Sequence, residues 1–265
     1  MSGILGTAVV TGASSGIGTV YADRLAGRGY DLVLIARSAD KLAAVAERIG
    51  AKTGRKVDIL PADLANASVL ARVEAFLRET PDITLLVNNA GLGGALKLVD
   101  SDVDKMTSLI ALNVTALTRL TYAIVPQFIA RRAGTIVNIA SVVAINPELL
   151  NGVYGGSKAF VLAFSQNLQH ELAGTGVTVQ VVLPGATATE FWAIAGRPIE
   201  HLPTEIVMRS EDLVDAALTG LDRGEFASIP SLQDGALSDA YENARQAMIG
   251  KLSTATPALR YRAAA

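Results

Sequence analysis

Thr7-Ala8-Val9-Val10-Thr11-Gly12-Ala13-Ser14-Ser15-Gly16-Ile17-Gly18 carries a short apolar run into a turn built on three glycines and out into an apolar-periodic segment, Ile17 to Leu25. The order is strand, glycine turn, helix. Such a turn aims backbone N–H groups and the positive end of a helix at one point, and the missing side chains let a diphosphate come close. Gly12, Ser14, Ser15, Gly16, Ile17 and Gly18 are therefore candidate binding residues. The same residues admit a second reading, because Gly12-Ala13-Ser14-Ser15-Gly16 fits the Gly-x-Ser-x-Gly elbow, which would make Ser14 the nucleophile of an α/β-hydrolase-like esterase. That fold lays down several strands before its serine and follows it with an acid and a histidine. Here the serine follows one strand. His170 falls inside a helical segment and His201 in a Pro-rich loop, neither of them a post-strand loop near the C-terminus.

Outward from the turn, strand and helix alternate. Asp31-Leu32-Val33-Leu34-Ile35-Ala36 reads as a buried strand ending at Arg37, the place where dinucleotide folds meet the adenosine ribose. An acid there would grip a free 2′-hydroxyl, whereas an arginine forms charge-assisted bonds to a 2′-phosphate, so NADP is expected over NAD. Ser38 is the expected cap of a helix reaching Ile49; a strand follows at 57–60 with Asp63 beyond its end, then a helix at 66–78. A fourth strand at 83–87 runs into Asn88-Asn89-Ala90-Gly91. This rhythm implies a parallel sheet with helices on both faces, and right-handed crossovers make it doubly wound. Ser101-x-x-Asp104 looks like a capping box for a long apolar helix reaching Arg131, with Asn113 in its middle. Strands at 135–140 and 177–183 end at Ser141 and at Pro184-Gly185, the edge where open α/β sheets hold ligands. A helix at 211–221 behind a Ser210 cap and a short strand near 226–229 bring the expected total to about seven strands. The expected architecture is a single α/β Rossmann-fold domain over 1–265, with an apolar loop at about 187–210 and a C-terminal tail at about 232–265. That loop carries Phe191, Trp192, Ile194, Ile199, Leu202 and Ile206, which suits either a lid over an apolar substrate or a patch docked on the core or on a second subunit.

Tyr154-Gly155-Gly156-Ser157-Lys158 sets a phenol and an ammonium four positions apart, on one face of a helix. A tyrosine titrating near 10 is a poor proton carrier at neutrality, and lowering it by ~3 units needs about 4 kcal/mol of preference for the phenolate, which a neighbouring cation can help to supply. Across 265 residues, 23 basic groups face 25 acidic ones, and no basic run offers a footprint for nucleic acid or an acidic membrane. Small molecules and copies of itself are the expected partners. Arg119, Pro126 and Pro184 interrupt the apolar stretches, so no membrane span is expected. The first basic residue is Arg24, which speaks against a signal peptide; with no cysteine, the cytoplasm is the expected compartment. Two histidines in unrelated segments predict no catalytic metal.

Taken together, these segments resemble the short-chain dehydrogenase/reductase family from Thr7 to about Ser231. Thr11-Gly12-x-x-x-Gly16-x-Gly18 is similar to that family's glycine signature and Asn88-Asn89-Ala90-Gly91 to its strand-four motif. Ser141, thirteen residues before Tyr154, completes with Lys158 its active-site set. The resemblance implies an NADP-dependent oxidoreductase interconverting a carbonyl compound and its alcohol. By it Tyr154 is the general acid or base, Ser141 holds the substrate oxygen, and Lys158 lowers the Tyr154 pKa and binds the nicotinamide ribose. Asn113 would hold a relay water. Asp63 and Leu64 would meet the adenine, Asn89, Ala90 and Gly91 would line the cleft, and Pro184, Gly185, Thr187 and Thr189 would hold the nicotinamide end. The family often pairs two long helices across subunits, which implies a homodimer or homotetramer. Thr187 stands where the family commonly has an aliphatic residue, and Gly156 where it commonly has alanine. A cofactor-binding sensor or scaffold without catalysis would show a broken Asn-Ser-Tyr-Lys set; here the set is intact. Substrates in the family range from steroids and sugars to quinones, so the apolar loop alone points to an apolar one.

Overall fold

A computed structural model describes residues 5–262. The chain divides into two units, Met1–Ser231 and Leu232–Ala265. The first is built on seven parallel strands, β1 Thr7–Thr11, β2 Asp31–Ala36, β3 Val57–Pro61, β4 Ile83–Asn88, β5 Gly134–Ile139, β6 Val177–Val182 and β7 Ala227–Ser228. Their spatial order is β3-β2-β1-β4-β5-β6-β7, so the direction of winding reverses between β1 and β4. Strand periodicity explains how both faces are covered. In β1, Ala8 and Val10 point into one core with Tyr21 and Leu25 of helix α1 (Gly16–Arg28), Leu42 of α2 (Ala39–Thr53) and Leu213 of a helix after β6. Val9, between them, points into the opposite core with Leu70 and Leu77 of α3 (Ala67–Glu79) and Ile124 and Phe128 of a later helix. The fold is the doubly wound Rossmann architecture expected from the alternation.

The long apolar helix differs from its expectation. Its first part, α4 (Val103–Ile110), starts one residue beyond Asp102, whose carboxylate accepts the N–H groups of Asp104 and Lys105 at 2.8 and 3.3 Å. Ser101 is not the cap, because its hydroxyl turns back to the Lys97 carbonyl at 2.8 Å. The helix then widens into a π turn at Ala111–Ala116, with Asn113 inside it, before α5 (Leu117–Ala130). The whole run, Val103–Ala130, is long and apolar enough to cross a membrane by length and composition, despite Arg119 and Pro126. Leu109, Leu120, Ile124 and Phe128 of this run are buried in the protein's own cores. Asn151 caps α6 (Gly152–Glu171) by accepting Val153 N–H at 2.9 Å. After a short α7 (Phe191–Ile194) comes α8 (Ser210–Asp222), whose N-cap position is Arg209, without a side-chain capping bond, rather than Ser210, whose hydroxyl donates to the Ala188 carbonyl at 3.0 Å.

The second unit contains α9 (Gly235–Ala247), opened by the Asp234 carboxylate on Ala236 N–H at 3.0 Å. No residue of α9 is buried.

Candidate active site

The β1–α1 turn takes its shape from backbone demands. Gly12 and Gly16 sit at φ 66° and 55°, a region costly for residues with a Cβ. A Cβ on Gly12 would lie 2.8 Å from Asn89 Nδ2 and 2.9 Å from Ala90 Cα, and one on Gly18 would come within 2.5 Å of the same Asn89 nitrogen. The turn is thus pressed against the end of β4. Asn89 Nδ2 donates to the Thr11 and Gly12 carbonyls at 2.9 and 3.2 Å, while Thr11 Oγ1 accepts the N–H groups of Asn89 and Ala90, both at 3.0 Å. Asn89 therefore holds the turn with its side chain.

The residues fit a dinucleotide. Ser15 is the N-cap of α1 but makes no side-chain capping bond, and the first turn carries no acidic residue to repel a phosphate. Ser14, Ser15, Gly16 and Ile17 are half-buried. Arg37 is exposed directly after β2 and is in no ion pair among the described residues. Asp63 is exposed beyond β3 and accepts Ala65 N–H at 3.0 Å; the Leu64 side chain is buried in the core, which leaves only its main chain for a ligand. The loop after β6 closes on the glycine turn from the other side: a Cβ on Gly16 would lie 3.0 Å from Thr189 Cγ2. Pro184 and Thr187 are buried, Gly185 and Thr189 half-buried, and Thr187 Oγ1 donates to the Gly185 carbonyl at 3.1 Å.

Ser141, Tyr154 and Lys158 are all buried at the same edge, at 8%, 5% and 7% exposure. Ser141 starts a short 3-10 turn, accepting Val143 N–H and donating to the Pro184 carbonyl, both at 3.3 Å. One turn of α6 separates the other two, and Lys158 Nζ lies 5.9 Å from the centre of the Tyr154 ring. The ammonium is anchored on the Ile139 carbonyl at 2.8 Å, a partner that the end of β5 supplies and that the spacing of side chains does not announce. In front of it the backbone is bare: a Cβ on Gly91 would lie 3.7 Å from Lys158 Nζ and 3.2 Å from Asn113 Oδ1. Asn113 is brought into the same group, but its amide is occupied. It accepts Leu92 N–H at 2.8 Å and donates to the Leu92 carbonyl at 2.9 Å and to Ser157 Oγ at 3.1 Å, so it ties the loop after β4 to α6. Ser157, which completes the clamp by donating to the Tyr154 carbonyl at 2.8 Å, carried no sequence signal beyond standing next to Lys158.

Burial dominates the electrostatics of the pair. Burial pushes the Tyr154 phenol up to about 12, opposed only by hydrogen bonding with Ser141. Burial also brings Lys158 down to about 8. Both shifts have the same origin, since a buried phenolate and a buried ammonium each lose hydration and the neutral form of each group is favoured. The rival elbow reading gains no support: Ser14 has no histidine hydrogen-bonded to it among the described residues, and no group of acidic residues, histidines and cysteines that could hold a metal occurs there either.

The chain's likeness to known proteins agrees with this geometry. A short chain dehydrogenase family model matches residues 6–197. A short-chain dehydrogenase from Sphingobium yanoikuyae in complex with NADPH superposes with a TM-score of 0.94 at 47% identity, covering 97% of this chain and 100% of that one. The bulky-bulky ketone specific alcohol dehydrogenase from Comamonas testosteroni gives a TM-score of 0.89 at 42% identity, covering 97% of this chain and 98% of that one. Among curated relatives, human 17-beta-hydroxysteroid dehydrogenase type 3 is 36% identical over 209 residues, 77% of this chain. The match spans only 64% of that relative's own length. With the family model covering strands β1 to β6, the glycine turn and the Ser141-Tyr154-Lys158 group, the chain belongs to the short-chain dehydrogenase/reductase family of oxidoreductases.

Proposed function

We propose that this chain is an NADP(H)-dependent oxidoreductase that interconverts a carbonyl compound and its alcohol, with Tyr154 moving the proton. The observation that carries the reading is the joint burial of Ser141, Tyr154 and Lys158, with Lys158 Nζ fixed on the Ile139 carbonyl and facing the bare backbone of Gly91. The nicotinamide ring, when bound, supplies or accepts the hydride. The rest falls to side chains. Tyr154 Oη keeps its proton at neutral pH, since burial holds it up to about 12, and is set to give it to an oxygen that is becoming an alkoxide. The Ser141 hydroxyl holds that oxygen within reach. Lys158, charged below about pH 8, favours the phenolate left behind and takes the ribose hydroxyls. With the Asn113 amide engaged by Leu92 and Ser157, a relay water there would be held by the main chain of the π turn.

Gly12, Ser14, Ser15, Gly16, Ile17 and Gly18 take the diphosphate on the open end of α1, and Arg37 takes the 2′-phosphate. Asp63 and Leu64 flank the adenine, Asn89, Ala90 and Gly91 the cleft, and Pro184, Gly185, Thr187 and Thr189 the nicotinamide. The reading has one catalytic domain with residues 232–265 as a tail, working in the cytoplasm. It also pairs copies through the outer faces of α5 and α6, where the Tyr122 and Phe160 rings each stack on Phe164 at 6.5 and 5.7 Å. Sedimentation as a stable monomer at micromolar concentration would contradict that pairing.

The central test follows NADPH absorbance against a panel of ketones with wild type and Tyr154→Phe. Wild type should consume NADPH, and the variant should bind it as well yet turn over at least ~100-fold more slowly. A variant as active as wild type would end the assignment of Tyr154.

A further inference from the structure

Residues 189–207 leave the sheet edge and return to it as a closed excursion. Thr187 bridges Met208 in parallel, Ala188 N–H donates to the Met208 carbonyl at 2.8 Å, and Met208 N–H donates to the Ala186 carbonyl at 2.9 Å. Within it, α7 turns two rings inward. Trp192 is buried and donates from Nε1 to the Thr187 carbonyl at 2.9 Å. Phe191 reaches further, with its ring 5.6 Å from that of Tyr154 at a 50° tilt and edge-on to Trp192. It can lie there because residue 93 has no side chain: a Cβ on Gly93 would stand within 2.5 Å of Phe191 Cε2 and 3.0 Å from Ala195 Cβ. Gly93 has no positive φ, so its missing side chain serves the contact rather than the backbone. Ala95 N–H to the Ala195 carbonyl, at 3.2 Å, ties the two loops together beside that contact. Tyr154 is otherwise surrounded by Leu109, Val143 and the partly buried Leu92, Met106 and Leu150, an apolar lining.

We propose that Gly93 and Phe191 act as a complementary pair that sets the width of the slot above Tyr154. The ring closes over the phenol because position 93 is bare, and the bulk of the apolar ketone substituent that is admitted depends on how far that ring yields. This rests on the reading of Tyr154 as proton donor to a carbonyl. The experiment uses Phe191→Ala, Phe191→Leu, Gly93→Ala and the Gly93→Ala/Phe191→Ala double variant, each assayed with NADPH on cyclohexanone and on benzophenone, with thermal unfolding measured throughout. Phe191→Ala should raise the ratio of kcat/KM for benzophenone over cyclohexanone at least tenfold, and Phe191→Leu should raise it by less. Gly93→Ala should lower kcat/KM for both ketones at least tenfold in the wild-type background and less than threefold in Phe191→Ala, with the same non-additivity in Tm. A ratio that rises less than tenfold in Phe191→Ala, or a Gly93→Ala penalty equal in both backgrounds, overturns the pairing. If wild type reduces neither ketone, the reading of an apolar ketone as substrate fails separately, and an equal Tm penalty for Gly93→Ala in both backgrounds still overturns the pairing.

Discussion

The β1–α1 turn and the 189–207 excursion face each other across Thr189 and Gly16, yet they are held by different kinds of constraint. In the turn the constraint is backbone geometry: positive φ at Gly12 and Gly16, and carbonyls held by Asn89. In the excursion it is side-chain packing, Phe191 against Gly93 and Tyr154, closed by a single bridge at Met208. Backbone constraints leave few residue choices and so leave a motif; packing constraints accept many pairs of shapes. The most damaging way to test this difference is Gly18→Ala. The new methyl would press on the Gly12 carbonyl and on Asn89 Nδ2, and Gly12 cannot retreat, because its N–H is bonded to the Ile35 carbonyl at 2.7 Å. A stability loss of about 2–4 kcal/mol is expected, together with loss of measurable NADPH binding by titration calorimetry. If the variant binds NADPH as wild type does, the turn is as forgiving as the excursion and the contrast is lost.

The next effect concerns Lys158, a charge held in the core. Its pKa falls from 10.5 unfolded to about 8 folded, so between those values the unfolded chain binds more protons and stability rises with pH. At pH 7 the cost is on the order of 3 kcal/mol, against about 1–3 kcal/mol for leaving the Ile139 carbonyl unpaired once the ammonium is gone. Lys158→Met is therefore expected to lose at least ~100-fold in turnover while its Tm at pH 7 is no lower than that of wild type. The difference in Tm, variant minus wild type, should shrink from pH 7 to 9.5, below the range where Tyr154 begins to oppose the trend. Wild-type carbonyl reduction should itself decline above about pH 8 as the lysine loses its proton. A flat rate profile through pH 9.5, or a variant that melts well below wild type, would show that the lysine is a structural group.

A smaller effect tests how local the backbone half of the site is. Arg37 stands in the open after β2 with no ion-pair partner among the described residues, so reversing its charge should disturb nothing but a bound 2′-phosphate. Arg37→Asp is expected to lower kcat/KM with NADPH at least ~tenfold, about 1.4 kcal/mol, and to change that with NADH less than ~threefold. Equal losses with both cofactors would mean that the end of β2 shapes the site through structure rather than charge.

The strands were legible because strands covered on both faces read as continuous apolar runs, and the glycine turn because positive φ at Gly12 and Gly16 and the close approach at Gly18 each demand a residue without a side chain. Helix starts were less so. Ser101 and Ser210 both had the chemistry of a cap, but their hydroxyls found carbonyls on neighbouring loops, and Asp102 and Arg209 took the N-cap positions instead. The π turn left one trace, a polar Asn113 in an apolar helix, and nothing in the spacing said that its amide would be shared between Leu92 and Ser157. The direction of the Tyr154 shift could not be read from a lysine four residues away, since it depends on how deeply both groups are buried. The approach of Phe191 to Gly93 joins residues ninety-eight positions apart, and no local pattern encodes a fit of that kind.

The smallest effect repeats the contrast within two adjacent residues. Gly155 and Gly156 lie between Tyr154 and Lys158, and neither has a positive φ, so helical backbone is open to alanine at both. A Cβ on Gly156 would meet nothing within 4 Å, whereas one on Gly155 would lie 3.1 Å from Pro147 Cβ and 3.3 Å from the Pro147 carbonyl oxygen. Gly156 is therefore a tolerated glycine on an exposed face, and Gly156→Ala should stabilise by about 0.4–1 kcal/mol, chiefly by restricting the unfolded chain. That corresponds to roughly 1–4 °C in Tm for a chain of this size, with kcat/KM within about threefold, under 1 kcal/mol in barrier. Gly155→Ala gains the same helix propensity but must push the Pro147 turn outward by a few tenths of an ångström, so its Tm should fall below that of Gly156→Ala and reach wild type at most. If both alanines raise Tm equally, the Pro147 turn is soft and packing there constrains nothing. If Gly156→Ala keeps its gain in Tm but loses activity tenfold or more, something approaches that face during turnover, and position 156 belongs with the packed glycines.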